Sequence, residues 1–399
     1  MLTMLRHLSV FKNEGRLDIN YTPSRLPHRE FQRNLLTQFF RFAIENPGAM
    51  TQRVLITGNV GAGKTVLAHH FGLEISKEAK ERGINLNYVH INCRQCRGNL
   101  FMILQQTVLH FHPHFPKRGY SAEETLQMLM QILDQQNAYL ILVLDELEAL
   151  IEAGGSEPLY KLTRIQESHL KEPQRVSLIC ILRELKYLNM LDPSARSTLQ
   201  RNIIKLEDYS TSQLQDIIKT RVNLAFRNEA VSPSTIQFIS ELASAKNGDA
   251  RYGIELLWRA GKYADALELP EVSPECVRKA STDVYPVIQK ETVTSLGLHA
   301  KLLLLGIARF FKHSEAAYLS MGEAEQAYNI ACEEYDENKR GHTQLWKYVK
   351  RLSALGIINT EISTTGQRGK TTLISLPSVS ASDLEQELSE VLSRRKEEA

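Results

Sequence analysis

A glycine-rich octapeptide with one lysine and one threonine carries the clearest chemistry in this sequence. Residues 58–65 follow a short apolar run and precede another one that begins at Val66. Glycines let backbone N–H groups surround phosphate oxygens, and the next helix points its positive end at them. Lys64 would neutralise the β- and γ-phosphates, and the Thr65 hydroxyl would hold Mg²⁺. The pattern predicts an ATP site, with a chance glycine turn as the alternative. The candidate loop contacts are Gly58, Asn59, Val60, Gly61, Ala62, Gly63, Lys64, Thr65 and Val66.

Two carboxylates form the second candidate group. Asp145 and Glu146 follow the apolar run of residues 139–144, which reads as a strand buried on both faces. In a doubly wound sheet, ligands lie at the carboxyl ends of the strands, where the glycine loop also lies. Asp145 would reach Mg²⁺ through its water shell, and Glu146 would polarise the water that attacks the γ-phosphate.

The segment before the glycine loop is a further candidate for nucleotide contact. Two prolines hold residues 21–30 extended, and a helix with apolar positions from Phe31 to Phe40 follows. An extended arm here could cover the adenine, and an N-terminal brace is the alternative. The first twenty residues are expected to lie over the surface. The further candidates for nucleotide contact are Leu26, His28, Arg29 and Tyr209.

Composition sets broad limits on the class of protein. A chain of 399 residues with 43% hydrophobic and 24% charged residues is typical of a globular protein of two or three domains. The net charge of +2 means that any basic surface must be local. With no apolar run long enough for a membrane span and no N-terminal signal core, we expect a cytoplasmic protein without a membrane partner.

Cysteines and histidines give weaker signals. The five cysteines are scattered, and Cys93 and Cys96 form a lone pair with no second pair at zinc-ligand spacing, so buried thiols are favoured over a metal site. Residues 100–132 read as helical and contain His110, His112 and His114. These histidines lie beside prolines without nearby carboxylates or thiols, which favours solvated or capping roles over a metal.

The remaining elements complete an α/β architecture. Residues 86–92, 175–182 and 202–206 read as strands, the last of them after a helix that contains Arg196 and Arg201. From residue 210 to about residue 264 the pattern is wholly helical and predicts a small lid. Within it, Gly248 and Asp249 start a helix whose first turn carries Arg251.

The C-terminal third predicts a winged helix. Residues 296–311, 321–335 and 343–355 read as helices; the last has Leu345, Tyr348, Val349 and Leu352 on one face and ends at Gly356. A hairpin of residues 357–362 and 371–376 follows, with a basic tip at residues 366–370. Between residues 339 and 372, seven cations oppose one acid, a local charge of +6. This charge favours DNA contact, although winged helices also bind proteins. The candidate DNA contacts are Gln344, Lys347, Lys350, Arg351, Arg368 and Lys370.

Taken together, the glycine loop, Asp145-Glu146 and the lid motif at residues 248–251 resemble an AAA+ ATPase. The arm of residues 21–30 and the Gln344 region are similar to the archaeal origin-recognition and cell-division-control initiators in particular.

This resemblance implies an AAA+ doubly wound parallel sheet with a helical lid and a C-terminal winged helix. It implies ATP or ADP with Mg²⁺ as cofactors. Its implied partners are double-stranded origin DNA, the replicative minichromosome maintenance helicase and paralogous initiator subunits, and the DNA partner implies a nucleoid-associated protein. By position, Arg251 matches the lid arginine that senses the γ-phosphate, and Arg196 matches a candidate arginine finger.

One departure from the family pattern bears on hydrolysis. Where the family usually has an asparagine that orients the attacking water, this sequence has Arg183 followed by Glu184. We therefore expect slow ATP hydrolysis that acts as an ATP/ADP switch, with ATP binding retained.

The sequence thus predicts an ATP-dependent replication initiator that binds origin DNA and helps to recruit or load the helicase. The alternatives are a clamp-loader-like or remodelling ATPase and an initiator-derived transcription regulator. The expected domains are a nucleotide-binding core with its arm (1–207), a lid (208–285), a winged helix (286–385) and a helical or disordered tail (386–399).

Overall fold

The structure is a computed structural model that divides into two compact units. The sheet unit comprises Thr22–Tyr209 with Asn247–Asp249, and the helical unit comprises Met1–Tyr21, Ser210–Lys246 and Ala250–Ala399. None of the described helices is both long and apolar enough to cross a bilayer. The backbone is described for residues 9–19, 21–116, 119–164, 173–284, 296–314, 316–362, 372–376 and 380–398, and the side chains for the same ranges without residues 282–284, 362 and 394–398.

The sheet unit is built on five parallel strands in the order β2-β3-β4-β1-β5. The inner strands carry continuous apolar runs because helices cover both faces of the sheet, as a doubly wound fold requires. The predicted parallel sheet is confirmed. The strands are β1 Arg53–Thr57, β2 Leu86–Asn92, β3 Tyr139–Asp145, β4 Val176–Leu182 and β5 Ile203–Lys205.

Eight helices of the described residues pack around this sheet, and one prediction about them is wrong. The helix predicted at residues 100–132 is two helices, because a proline segment interrupts it and Ser121 begins the second with a capping box to Glu124. A 3₁₀ helix spans Leu185–Met190. The helices are α1 Glu30–Phe39, α2 Arg41–Glu45, α3 Lys64–Glu81, α4 Leu100–Phe111, α5 Ala122–Gln135, α6 Glu148–Gly154, α7 Glu157–Arg164 and α8 Pro193–Leu199.

Two finer predictions in this unit also need correction. The apolar spacing places Phe31 on the buried face of α1, but its side chain is 74% exposed, whereas Leu36 and Phe40 are buried. Phe31 precedes Leu36 by five residues, which in an α-helix corresponds to a rotation of about 140°. Phe31 therefore lies on a different face of α1 from Leu36. Arg201 lies after the end of α8 rather than within it, and Arg196 is the arginine that the helix contains.

The helical unit begins with a lid that also takes in the N-terminal segment. The expectation that the first residues lie over the surface is wrong for Val10, Phe11 and Leu17, which are buried. The Phe11 and Phe226 rings are 4.7 Å apart, and Val10 N donates to the Asp265 carboxylate. The lid helices are α9 Thr211–Ala225, α10 Pro233–Ala245, α11 Ala250–Ala266 and α12 Pro274–Val284, and a 3₁₀ helix spans Glu14–Leu17.

The rest of the helical unit is the winged helix, and it differs from the prediction in two features. A short strand, β6, pairs with β8 and makes the hairpin a three-stranded antiparallel sheet. The last helix buries Leu384, Leu388 and Leu392 in the same core, so the predicted boundary at residue 385 falls inside one helix. The elements are α13 Leu298–His313, β6 Leu319–Ser320, α14 Met321–Glu334, α15 His342–Ala354, β7 Asn359–Ile362, β8 Thr372–Ser375 and α16 Ala381–Glu398.

Candidate functional site

The glycine loop joins β1 to α3 in the predicted order of strand, turn and helix. Gly61 and Gly63 have φ angles of +76° and +90°, a region that side chains other than glycine rarely adopt. A Cβ atom on Gly61 would lie 2.0 Å from Asp249 Oδ1, and one on Gly63 would lie 2.8 Å from Tyr209 Oη. Both the conformation and the close packing therefore require glycine, so these positions are more than a chance turn.

The two residues predicted to contact phosphates and metal open α3. Lys64 Nζ donates to the carbonyl oxygens of Gly58 (2.6 Å) and Asn59 (2.7 Å), so its ammonium group lies within the loop. Thr65 Oγ1 donates to Asp145 Oδ2 at 2.8 Å. The structure thus brings the glycine loop and the carboxyl end of β3 together, as the two sequence patterns predicted. Val66 continues the first turn of α3, and Val60 is exposed at the loop surface.

Asp145 is ionised in spite of its burial. Burial by itself would raise its pKa, but hydrogen bonds from His90 and Thr65 outweigh that effect and hold the pKa below its ordinary value. His90 Nε2 lies 3.2 Å from Asp145 Oδ2, and the His90 ring stacks on His69 with 4.2 Å between centroids. Sequence reasoning missed both histidines, because neither His69 on α3 nor His90 on β2 belongs to a recognisable spacing pattern.

Glu146 is held by two arginines. Its carboxylate oxygens lie 2.8 Å from Arg94 Nε and 3.5 Å from an Nη atom of Arg183. Arg183 Nε is also 3.1 Å from an oxygen of the buried Glu148. The arginine that replaces the expected asparagine therefore contacts the predicted water-polarising carboxylate directly. Arg94 was missed, although register pairs the end of β2 with Asp145, which brings the following loop close to Glu146.

The arm residues brace the loop from the side. Arg29 is 4% exposed and donates through Nε (3.1 Å) and an Nη atom (2.9 Å) to the Ala62 carbonyl. The same Nη atom donates to Glu207 O, and the guanidinium lies 3.9 Å above the Tyr209 ring. Leu26 packs on the core beneath, and His28 adopts a left-handed φ of +62° before α1 begins. These contacts favour the brace for Arg29, while the adenine contact of the arm stays a prediction.

The remaining nucleotide-site candidates are distributed over both units. Gly248 packs against the backbone of Tyr209, and Asn59 Nδ2 donates to the Asp208 carboxylate. Arg251 is exposed in the first turn of α11, in the helical unit. Arg196 is half-buried on α8 with an Nη atom 3.4 Å from Asn189 Oδ1. The sensing role of Arg251 and the finger role of Arg196 remain predictions.

The cysteines and the histidine triplet give no metal site in the part of the chain that the structure describes. All five cysteines are buried free thiols. Burial raises the pKa of the Cys93 thiol, so it stays protonated and is a poor metal ligand. Cys93 and Cys96 instead anchor the loop that carries Arg94.

The predicted DNA-contact residues lie along α15. Lys347, Lys350 and Arg351 are exposed, Gln344 is half-buried, and the apolar face of the helix packs into the winged-helix core. Lys350 Nζ lies 5.5 Å from the Trp346 ring centroid, which limits its orientation. Arg368 and Lys370, predicted at the wing tip, lie outside the described residues.

Comparison with known proteins agrees with this architecture. Three family models match the chain: an AAA domain at residues 51–189, the Cdc6 AAA+ ATPase-type lid domain at 215–282, and the C-terminal winged helix domain of CDC6 at 291–387. The chain is 35% identical to the ORC1-type DNA replication protein 2 of Sulfolobus acidocaldarius over 376 residues, which cover 92% of this chain and 90% of the relative.

Two solved structures extend the comparison to three dimensions. The crystal structure of Cdc6p from Pyrobaculum aerophilum matches with a TM-score of 0.82 and 30% identity over 97% of this chain and 100% of that one. The Aeropyrum pernix ORC1 protein in complex with DNA matches with a TM-score of 0.64 and 27% identity over 96% and 97%. With its glycine loop, lid and winged helix in the same order, this chain belongs to the family of ORC1-type and Cdc6-type DNA replication proteins.

Proposed function

We propose that this protein is an ATP-controlled replication initiator that binds origin DNA through its winged helix and helps to recruit or load the replicative helicase. The observation that carries the proposal is the hydrogen bond between Thr65 and Asp145, which joins the glycine loop to the carboxylate strand. Family membership and the ORC1 structure solved with DNA support the DNA-binding part. Family membership alone supports the helicase-recruiting part of the proposal.

The residues around the loop have different roles in binding and hydrolysing ATP. Lys64 and the backbone N–H groups of the loop bind the phosphates, and Arg29 fixes the loop through the Ala62 carbonyl. Glu146 polarises the attacking water when its carboxylate leaves the two arginines. Because Arg94 and Arg183 hold that carboxylate, we expect ATP to persist and act as a switch.

The donor set near Thr65 fits Mg²⁺. Thr65 Oγ1 and Asp145 Oδ2 are oxygen donors 2.8 Å apart, and the low pKa of Asp145 keeps it anionic. Mg²⁺ prefers oxygen ligands from one or two carboxyl or hydroxyl groups together with water and phosphate. Thr65 would hold the ion and Asp145 would reach it through water, and the ion would neutralise charge on the transferred phosphoryl group.

Genomic mapping tests the function as a whole. Crosslinking the protein to chromatin should recover a few discrete sites that coincide with replication origins. Recovery of the replicative helicase on a duplex of such a site should require this protein in its ATP-bound form. Sites spread over promoters, with no helicase recovered, would instead favour the transcription regulator.

Replacing Arg183 should speed hydrolysis. The Arg183→Asn variant removes a cation from Glu146 and restores the amide usual at this position. We expect the rate to rise about fivefold, as the loss of a partly exposed ion pair worth about 1 kcal/mol would give. Glu146→Gln should lower the rate at least about a hundredfold with ATP binding retained, because the variant has no general base. Single-turnover hydrolysis of radiolabelled ATP measures both.

A nearby lysine provides the control. Lys186→Asn removes an exposed cation that pairs with Glu184 rather than Glu146, so its rate should equal that of the wild type. A fast wild-type rate that Arg183→Asn does not change would contradict the switch. Turnover that rises strongly with duplex DNA would favour a motor-type ATPase.

We expect Gln344 to recognise a DNA base rather than to contact a phosphate group. It lies in the first turn of α15, and a glutamine side chain can pair bidentately with adenine in the major groove. Gln344→Ala should therefore cost about 1–3 kcal/mol on the cognate site and little on random duplex. Competition binding with both duplexes measures the difference, and Gln386→Ala on α16 is the control. Equal losses on the two duplexes would contradict base recognition.

A further inference from the structure

A histidine outside the recognition helix connects four parts of the winged helix. His299 lies in the first turn of α13 and is half-buried. Its Nδ1 lies 2.9 Å from Tyr328 Oη on α14, and its Nε2 lies 3.0 Å from Arg340 Nε. Its ring is nearly parallel to that of Tyr348 on α15, at 6.4 Å between centroids. His299 therefore contacts the segment just before α15 as well as α15 itself.

The hydrogen bonds of this histidine fix where its proton lies. A guanidinium group is always protonated, so Arg340 Nε donates and His299 Nε2 must accept. The neutral ring then carries its proton on Nδ1, which donates to Tyr328 Oη. Tyr328 Oη also accepts from the backbone N–H of Arg340 at 3.1 Å. Both the main chain and the side chain of Arg340 are thus held by one histidine–tyrosine pair.

Arg340 differs from the basic residues on either side of it. Lys339 pairs with Glu333 at 2.7 Å, and His342 Nδ1 lies 2.9 Å from Glu325, so each already has an acidic partner on α14. Arg340 is exposed, and within the described residues the contacts of its guanidinium are to a neutral ring rather than to a carboxylate. The charge of Arg340 is therefore both fixed in place and available to an anion.

We propose that Arg340 is a further phosphate-contacting residue of the DNA-binding surface, and that His299 is the positioning residue that holds its guanidinium in place. The inference rests on the proposed function, since it adds a contact beside α15. Ordering a free arginine on binding costs conformational entropy, and a guanidinium held beforehand avoids most of that cost. His299 would thus raise affinity without touching DNA.

The first test is the salt dependence of binding to a random-sequence duplex, because phosphate contacts are independent of sequence. Arg340→Ala should lower the salt slope by about 0.9 and the affinity about fivefold at about 0.15 M salt. Lys339→Ala should have a smaller effect on both, since Glu333 already pairs with that lysine. Equal effects of the two variants would overturn the specific role of Arg340, as would an unchanged slope in Arg340→Ala.

A double-mutant cycle tests the role of His299. His299→Phe keeps a ring beside Tyr348 but removes the acceptor for Arg340. We expect a two- to threefold loss of affinity with the salt slope unchanged, and no further loss when His299→Phe is added to Arg340→Ala. Equal losses in both backgrounds would mean that His299 only supports the fold, which would overturn the positioning role. Because Arg340 is exposed, Arg340→Ala should fold normally. Its salt slope therefore tests the phosphate contact even if His299→Phe does not fold.

The proposed function can be separated from this inference. If the combined replacement of Lys347, Lys350 and Arg351 weakens duplex binding while Arg340→Ala does not, the recognition surface stands and the inference fails. If none of these variants changes affinity, DNA binding through α15 fails and the inference fails with it.

Discussion

Lys64→Ala is expected to abolish ATP binding. In the structure the ammonium group lies inside the loop, where it donates to the carbonyl oxygens of Gly58 and Asn59. A triphosphate bound there would receive charge-assisted hydrogen bonds from this group, each worth about 1.5–3 kcal/mol. Removing two of them should weaken affinity by about a thousandfold. Titration with a fluorescent ATP analogue measures the effect.

The same helix supplies a matched control. Lys77 lies on α3 with its side chain 80% exposed and 3.9 Å from Glu81, so Lys77→Ala makes the same substitution away from the loop. Its nucleotide affinity should be that of the wild type. An unchanged affinity in Lys64→Ala, with Lys77→Ala behaving in the same way, would contradict a nucleotide site in this loop.

The parts of the fold that the sequence predicted are those with strong local patterns. The strand predicted at residues 86–92 agrees with β2 residue for residue; its polar residues Asn87, His90 and Asn92 fit its place at the edge of the sheet. The glycine loop was predictable because its chemistry depends on backbone conformation, which only a few residue types allow. The helix break near Pro113 was equally local, and the prolines that cause it are visible in the sequence.

The contacts around Glu146 were harder to predict, because they depend on strand order. Arg94 and Arg183 are 89 residues apart in the sequence, and each follows a strand that neighbours β3. The sequence pattern of a single segment does not indicate that β2 and β4 lie on either side of β3. Had the strand order been assumed from the fold family, the ends of these strands would have been the places to look for partners of the carboxylates.

Short elements and long-range packing account for the other misses. The two-residue strand β6 is too short for any periodicity to show. The burial of Phe11 depends on Phe226, far along the chain, so no local signal marks it. In contrast, the leucines at positions 384, 388 and 392 recur at helical spacing, and this signal for a C-terminal core helix was available in the sequence.

Combined replacement of Lys347, Lys350 and Arg351 by alanine is expected to remove most duplex binding. All three side chains are exposed on α15, opposite the face that buries Leu345 and Val349 in the core, so their truncation should leave the fold intact. Removing one phosphate-binding cation lowers the salt slope by about 0.9, so removing three should lower it by about 2.7. At about 0.15 M salt this corresponds to roughly a hundredfold weaker binding.

A charge-matched variant separates direct contact from net charge. Replacing Lys77, Lys80 and Arg82 by alanine also changes the net charge of +2 by three units, but at the end of α3 in the sheet unit. If long-range electrostatic attraction alone drove DNA binding, the two variants would lose the same affinity, and salt would screen the attraction in both. We expect only the α15 variant to show reduced affinity and slope, measured by fluorescence anisotropy of a labelled duplex from 50 to 300 mM salt. Equal reductions would mean that α15 does not touch DNA, and its exposed face would then be better explained as a protein-docking surface.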